Sequence, residues 1–327
     1  MPIAIAPSMR AGIAKAATEA GGGVVGEAEG KAISREGQHI PMAAVRPGHY
    51  DLTMRDALNP TPAREAVPAD AVFEILPGDA GAGLVLLCDH ASSHVPADYD
   101  SLGLPPSEFE RHIAYDIGAE ALTRALAARF GVPAVLSHFS RLLIDPNRGL
   151  DDPTLIMRLS DGAVIPRNAR IDGEERERRI ARFYQPYDDA VNRTIEAGME
   201  TGRIPMILSI HSFTPLWKGR PRPWHAGILW DADPRLARPL IEGLARDPAI
   251  VVGDNEPYHG ALKGDTLYRH ATKRGLAHAL VEIRQDLIAD PAGVAEWADR
   301  LAGVLTDLKV GEAPHQVEFY GSLADPR

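Results

Sequence analysis

The 327-residue sequence contains a single cysteine, Cys88. One thiol allows neither an intramolecular disulfide nor a CxxC metal motif. Cys88 lies inside an apolar run and reads as a buried structural thiol, not a nucleophile. The scarcity of cysteine suits a reducing cytoplasm. Long apolar runs are also missing, since none approaches the roughly 20 residues of a membrane span. The N-terminus has Arg10 and Lys15 amid Ala and Gly and lacks a signal-peptide core. Positive charge is in deficit: 35 Lys and Arg face 45 Asp and Glu, a net charge of −10. That balance excludes the broad basic face of a nucleic-acid binder but leaves room for a local basic pocket. GxxxxGK phosphate loops, GxSxG elbows and HExxH zinc helices are all absent. Gly78, Gly81 and Gly83 precede the first strong strand, whereas a dinucleotide fingerprint must follow it.

What is there begins with an Ala/Gly/Pro-rich arm over residues 1–69, read as partly irregular. A single α/β domain is expected over 70–312 and a tail over 313–327. Within the domain, strand-like runs alternate with helical patterns. The strands are expected near 71–76, at Leu84–Cys88, Val132–Leu136, Leu142–Ile144, Pro205–His211, Ala226–Trp230, Ala249–Val252 and His278–Ile283. A capping-box pair, Ser107 and Glu110, opens an apolar stripe that predicts a helix running to Gly131, with His112 and Asp116 on one face. Further helices are expected over 173–200, broken or kinked at Pro186, and over 234–246, 264–274 and 291–308. Residues 149–172 read as a long loop. Repeated alternation predicts a doubly wound, mainly parallel (mixed) sheet with helices on both faces.

Several of these strands deliver ligand-type side chains near their carboxyl ends: Asp89 and His90, His211, and Glu282 with Arg284. In a parallel sheet such ends converge on one edge. Two histidines with a carboxylate are the ligand set of a catalytic zinc site with an open position. A zinc ion lowers the pKa of water to about 7, and a nearby glutamate can take and return a proton. Arg141, Arg148 and Arg284 occupy the same strand-end segments and suit a substrate carboxylate. Plainer roles exist for each residue. Asp116 could partner His112 or Arg111, Asp89 could cap a turn, and Glu282 could face solvent or pair with a cation. Arg141 and Arg148 could pair with Asp145 or Asp151. His94, His138, His259 and His270 read as structural.

The segments CDHASSHVP, HIAYDIGA, SRLLIDPNR, SIHSF, NEPYHG and LVEIRQDL occur in this order. Together they resemble the N-formylglutamate amidohydrolase family, in the branch with a D-H-A-S first motif. The resemblance covers about residues 80–290. It implies a zinc-exopeptidase-like α/β fold and hydrolysis of a linear amide, in the family's named reaction N-formyl-L-glutamate plus water to formate and L-glutamate. It also implies that His90 and His211 are metal ligands and Glu282 the catalytic carboxylate. In zinc carboxypeptidases the acidic ligand follows the first histidine by three positions. That position here is Ser93, so the acid must come from elsewhere: Asp116 is the candidate, with Asp89 second. Arg141, Arg148 and Arg284, with Asn147 and Ser92, are the candidate substrate contacts.

The expected protein is thus a cytoplasmic amidohydrolase that uses Zn2+ or another divalent metal. Its substrate is a small, carboxylate-bearing N-acyl amino acid, and neither nucleic acid nor membrane is a partner. A peptidase or cell-wall-type amidase on the same fold is the second reading, marked by an open groove in place of an arginine-lined pocket. A non-catalytic small-molecule binder is the third. The Trp217–Trp224 loop fits either a lid or an interface.

Overall fold

Leu84–Cys88 is fully buried, and so is every residue of Met206–Phe213. Such runs, buried on both faces, are what the centre of a largely parallel sheet requires. The computed structural model describes residues 70–326. The arm expected over 1–69 and the final residue, Arg327, lie outside the described residues.

In chain order the strands are β1 (Phe73–Leu76), β2 (Leu84–Cys88), β3 (Ala134–Ser137), β4 (Leu159–Ser160), β5 (Ala163–Val164) and β6 (Met206–Phe213). They continue with β7 (Leu216–Trp217), β8 (Arg220–Pro221), β9 (Ala226–Leu229), β10 (Val252–Asp254) and β11 (His278–Arg284). The helices are α1 (Ala119–Phe130), α2 (Gly173–Arg179), α3 (Gln185–Glu200), α4 (Pro234–Leu244), α5 (Thr266–His270) and α6 (Pro291–Val310). Seven strands form one sheet in the order β1-β3-β2-β6-β11-β9-β10. β3, β2, β6 and β11 run parallel. β1 is antiparallel at one edge, and β9 with β10 runs against β11 at the other. The sheet is the mixed, mainly parallel one expected. Among the described residues β4 pairs only with β5 and β7 only with β8, as short ribbons.

Alternation along the strands sends successive side chains to opposite faces. Leu84, Leu86, Cys88, Leu208, Ile210 and Val281 enter the core shared with α1, α4 and α6. Val85, Leu87, Ile207 and Leu280 enter a second core with α3 and α5. Each fully buried leucine contributes about 1.5–3 kcal/mol relative to exposure. The same alternation puts His211 and Glu282 on the second face, with Ser209 and Leu280.

Helix entry follows local chemistry. Asp233 and Asp290 accept backbone N–H bonds at the starts of α4 and α6, each followed by a proline. Elsewhere tertiary contacts overrule the local pattern. The helix predicted from Ser107 begins only at Ala119, after Gly118 at φ 82°. Pro106–Glu110 is a short 3-10 turn, and Glu108 pairs with Arg111. Asp116 N–H bonds to His90 O at 2.9 Å, which holds this segment against the end of β2 and out of a helix. His112 and Asp116 therefore do not share a helix face. Leu142–Ile144 is a buried turn, not a strand. Its Leu142 and Leu143 carbonyls accept from Asn168 Nδ2 and the Arg179 guanidinium where a strand neighbour would donate.

Smaller differences follow the same logic. The strand expected at 249–252 forms at Val252–Asp254, and only Thr266–His270 of 264–274 is α-helical, followed by a 3-10 turn. Pro186 does not end the helical run. A π turn, Ile180–Tyr184, immediately precedes it and widens the backbone where the proline ring would otherwise crowd the preceding turn. Residues 313–326 lie against the domain. Glu318 N–H bonds to Gly275 O, and Leu323 N–H bonds to Asp231. No helix of the described residues is long and apolar enough to cross a membrane.

Candidate active site

The chain leaves β2 through Asp89 and His90, both buried. Ser137 Oγ donates to Asp89 O at 2.6 Å, and the Asp116 bond described above holds His90 O. These ties turn the His90 ring under the sheet edge. On β6, His211 follows Ser209 on the same face. β6 and β11 pair in parallel with His211 directly opposite Glu282. Strand spacing of about 4.8 Å then makes the two side chains neighbours.

His90, Asp116 and His211 converge, each offering one ligand atom within 4.8 Å of the others. Asp116 Oδ2 lies 2.8 Å from His211 Nδ1 and 3.3 Å from His90 Nδ1. The outer ring nitrogens are held as well. His90 Nε2 is 2.7 Å from Asp145 Oδ1, and His211 Nε2 is 3.1 Å from Asp89 Oδ2. Asp89 is fixed in turn by Tyr187 OH, Ser209 Oγ and Thr266 Oγ1 at 2.8–3.0 Å. Arg141 donates to Asp145 at 2.9 Å and more loosely to Asp116 at 3.4 Å.

Burial alone would lower the pKa of His211, but its bonds to Asp116 and Asp89 outweigh that and raise it to about 10. The Asp116, Asp89 and Asp145 carboxylates are held below the usual range despite burial, the first two by the histidines and Asp145 by Arg141 and His90. Glu282 behaves oppositely. Burial pushes it up to about 7, against the pull of His211, with the Asp116 charge adding to the rise. Among the described residues its Oε2 is buried without a hydrogen-bond partner, as is Arg141 Nε. A buried carboxyl without a donor on one oxygen, at a cluster built for positive charge, suits proton transfer.

A cavity of about 570 Å3 opens on this cluster. His90, Asp116, His211 and Glu282 line it, with Arg141, Asn147 and Arg148.

A model of the N-formylglutamate amidohydrolase family matches residues 82–289. The chain belongs to that family. It is an amidohydrolase. A solved gene product of Agrobacterium tumefaciens is 34% identical, covering 74% of this chain and 98% of its own, with a TM-score of 0.69. An N-formylglutamate amidohydrolase from Ralstonia eutropha is 24% identical over 73% of this chain and 97% of its own, with a TM-score of 0.58, and shares the fold. Among curated proteins, none matches the sequence.

In this N-formylglutamate amidohydrolase family member the residues present fit a divalent metal. Donors on one zinc ion lie roughly 3.3 Å apart, from bond lengths of about 2.0–2.1 Å. The 3.3 Å between Asp116 Oδ2 and His90 Nδ1 matches that spacing, and the 2.8 Å to His211 Nδ1 is a shorter, hydrogen-bonded approach. The donor set is two imidazole nitrogens and one carboxylate. A carboxylate behind each imidazole fixes its tautomer and raises its basicity, as ligating histidines require.

Other candidate residues lie elsewhere. Asp89 backs His211 and is not part of the three-residue cluster. Arg284 lies outside the cavity lining, its guanidinium turned to Asp286 at 2.8 Å and to Trp224 O. Ser92 is also outside the lining and accepts the His94 N–H within its own turn. His138 pairs with Glu74 and His270 with Asp188, while His259 lines the cavity and accepts from Ala261 N–H. Cys88 points into the opposite core, where burial pushes its thiol pKa up. Sequence reasoning placed Asp145 beside Arg141, as found, but missed its bond to His90, and missed Tyr187 and Thr266. Only Ser209 carried a usable signal, since it precedes His211 by one strand period.

Proposed function

We propose that this amidohydrolase cleaves the amide of an N-acylated amino acid with a divalent metal, zinc foremost, held by His90, Asp116 and His211. The leading reaction is N-formyl-L-glutamate plus water to formate and L-glutamate. The observation that carries the reading is Glu282. Its unpartnered carboxyl oxygen is buried, directly across from His211, at the wall of a cavity that also holds Arg141, Asn147 and Arg148.

The chemistry that a bound ion supplies is Lewis acidity toward the acyl oxygen and a lowered pKa for water. Glu282 takes a proton from the attacking water as the new C–O bond forms. It then returns that proton to the amide nitrogen as the C–N bond breaks, so the amine leaves neutral. Asp89 and Asp145 keep the two imidazoles oriented. Arg148 offers its guanidinium to the substrate carboxylate. Arg141 is committed to Asp145 and Asp116, but its Nε remains available to an acyl or carboxylate oxygen. Asn147 Oδ1 already accepts Thr266 N–H, which leaves its amide nitrogen to donate.

The test is metal analysis of the purified protein and a hydrolysis screen of N-formyl, N-acetyl and N-succinyl amino acids with added zinc. Stoichiometric metal and turnover of N-formylglutamate above the other compounds are expected. Failure to bind zinc would remove the metal assignment, and equal or no turnover of N-formylglutamate would remove the named substrate.

A further inference from the structure

The cavity extends well past the reacting groups. From Glu282, β11 runs back through Leu280 to His278 on the same face, and all three line the cavity. Four residues of strand are about 13 Å. Leu229 of β9 faces Leu280 in register, and Leu262 and Leu267 add further apolar walls. These leucines give the middle section apolar walls, with Asp265 at the start of α5 also in the lining.

The far end is polar. Asp231, two residues past the end of β9, lines it and is only 7% exposed. Its Oδ1 accepts Leu323 N–H at 2.8 Å. Among the described residues no Arg, Lys or His forms an ion pair with it, and no donor reaches its other oxygen. Its neighbours do not supply positive charge. His278 donates through Nδ1 to Leu276 O, its Nε2 bonds with Thr272 Oγ1, and burial lowers its pKa. Tyr268 OH is bound to Asp325. A largely buried carboxylate with no cation among the described residues, one oxygen open to an apolar-walled chamber, is a ready counter-ion for a charged group that enters with a ligand.

We propose that the chamber beyond Glu282 binds a substrate arm: an aliphatic stem of roughly five or six bonds along Leu229 and Leu280, ending in an ammonium group at Asp231. This rests on the amidohydrolase reading above and extends its substrate class beyond N-formylglutamate, which has no such arm. The arm belongs either to the acyl group or to the amino-acid side chain, and both place the charge at a similar distance from the scissile bond.

The experiment uses the zinc-loaded full chain and paired amides. Nα-acetyl-lysine and Nα-acetyl-norleucine test the side-chain arm; N-(6-aminohexanoyl)glycine and N-hexanoylglycine test the acyl arm. N-formylglutamate runs beside them. In one pair the ammonium compound is expected to exceed its uncharged partner, which ends one atom short of the ammonium, by about tenfold or more in kcat/KM, chiefly through KM. The pair that shows it identifies the arm. Asp231→Asn keeps an acceptor for Leu323 N–H and is expected to bring the ratio close to one, while Leu280→Trp fills the chamber and lowers turnover of all four armed compounds. A ratio near one in both pairs, or one unchanged by Asp231→Asn, overturns the inference even if N-formylglutamate is hydrolysed. If no amide is hydrolysed by metal-loaded protein, the functional reading falls and the inference falls with it.

Discussion

Asp145 gives the most direct test of how the site is built. It touches no substrate position, yet its Oδ1 stands 2.7 Å from His90 Nε2 and its Oδ2 accepts from Arg141 at 2.9 Å. Asp145→Asn keeps the shape and leaves all three proposed ligands in place. It removes the charge that makes His90 a better donor, and it sets an amide N–H against the Arg141 guanidinium. Loss of such a partner typically weakens metal binding about 10–100-fold, or about 1.4–2.8 kcal/mol. Loss of a buried, charge-assisted hydrogen bond costs about 1.5–3 kcal/mol of stability. Zinc affinity measured by chelator competition, with urea unfolding of the metal-free protein alongside, separates the two effects. A folded variant that binds zinc as tightly as the parent would refute the argument that the outer carboxylates tune the site.

Other outcomes follow from the same geometry. Glu282→Gln is expected to keep its metal and lose about 10²–10⁴-fold in kcat, measured with any turned-over N-acyl amino acid; retained turnover with bound metal would remove Glu282 as the proton carrier. Asp265, the N-cap of α5, is raised by burial from 3.8 to about 7. Its folded pKa exceeds its unfolded one, so stability is undiminished below about pH 4 and declines as pH rises through 7, by up to roughly 4 kcal/mol. Asp265→Asn keeps the cap, so urea midpoints should rise at pH 8 and change little at pH 4. Leu86→Ala, in a fully buried position of β2, should cost about 2–5 kcal/mol in the same assay.

Much of this architecture is local and therefore legible in the chain. The buried strands announce themselves because a central strand must be apolar on both faces, as Leu84–Cys88 is. Asp-Pro pairs at 233–234 and 290–291 mark helix starts because the aspartate satisfies N–H groups that the helix cannot. Strand ends bearing His90, His211 and Glu282 point to one edge because parallel strands share a direction. The resemblance to N-formylglutamate amidohydrolases rests on the same strand-end segments.

What the chain alone left open was settled by contacts between distant segments. Asp116 reaches the two histidines from an irregular turn, not from the helix its neighbours predict, because its backbone is bonded to His90 O. Arg284 shares a face with Glu282 but lies past the sheet edge, where Asp286 captures it. Asp145 and Tyr187 support the site from 55 and 98 residues away along the chain. Period and composition report what a residue does to its own turn or strand. They carry no record of which remote carboxylate completes an imidazole, since that depends on distances that exist only once the sheet has formed.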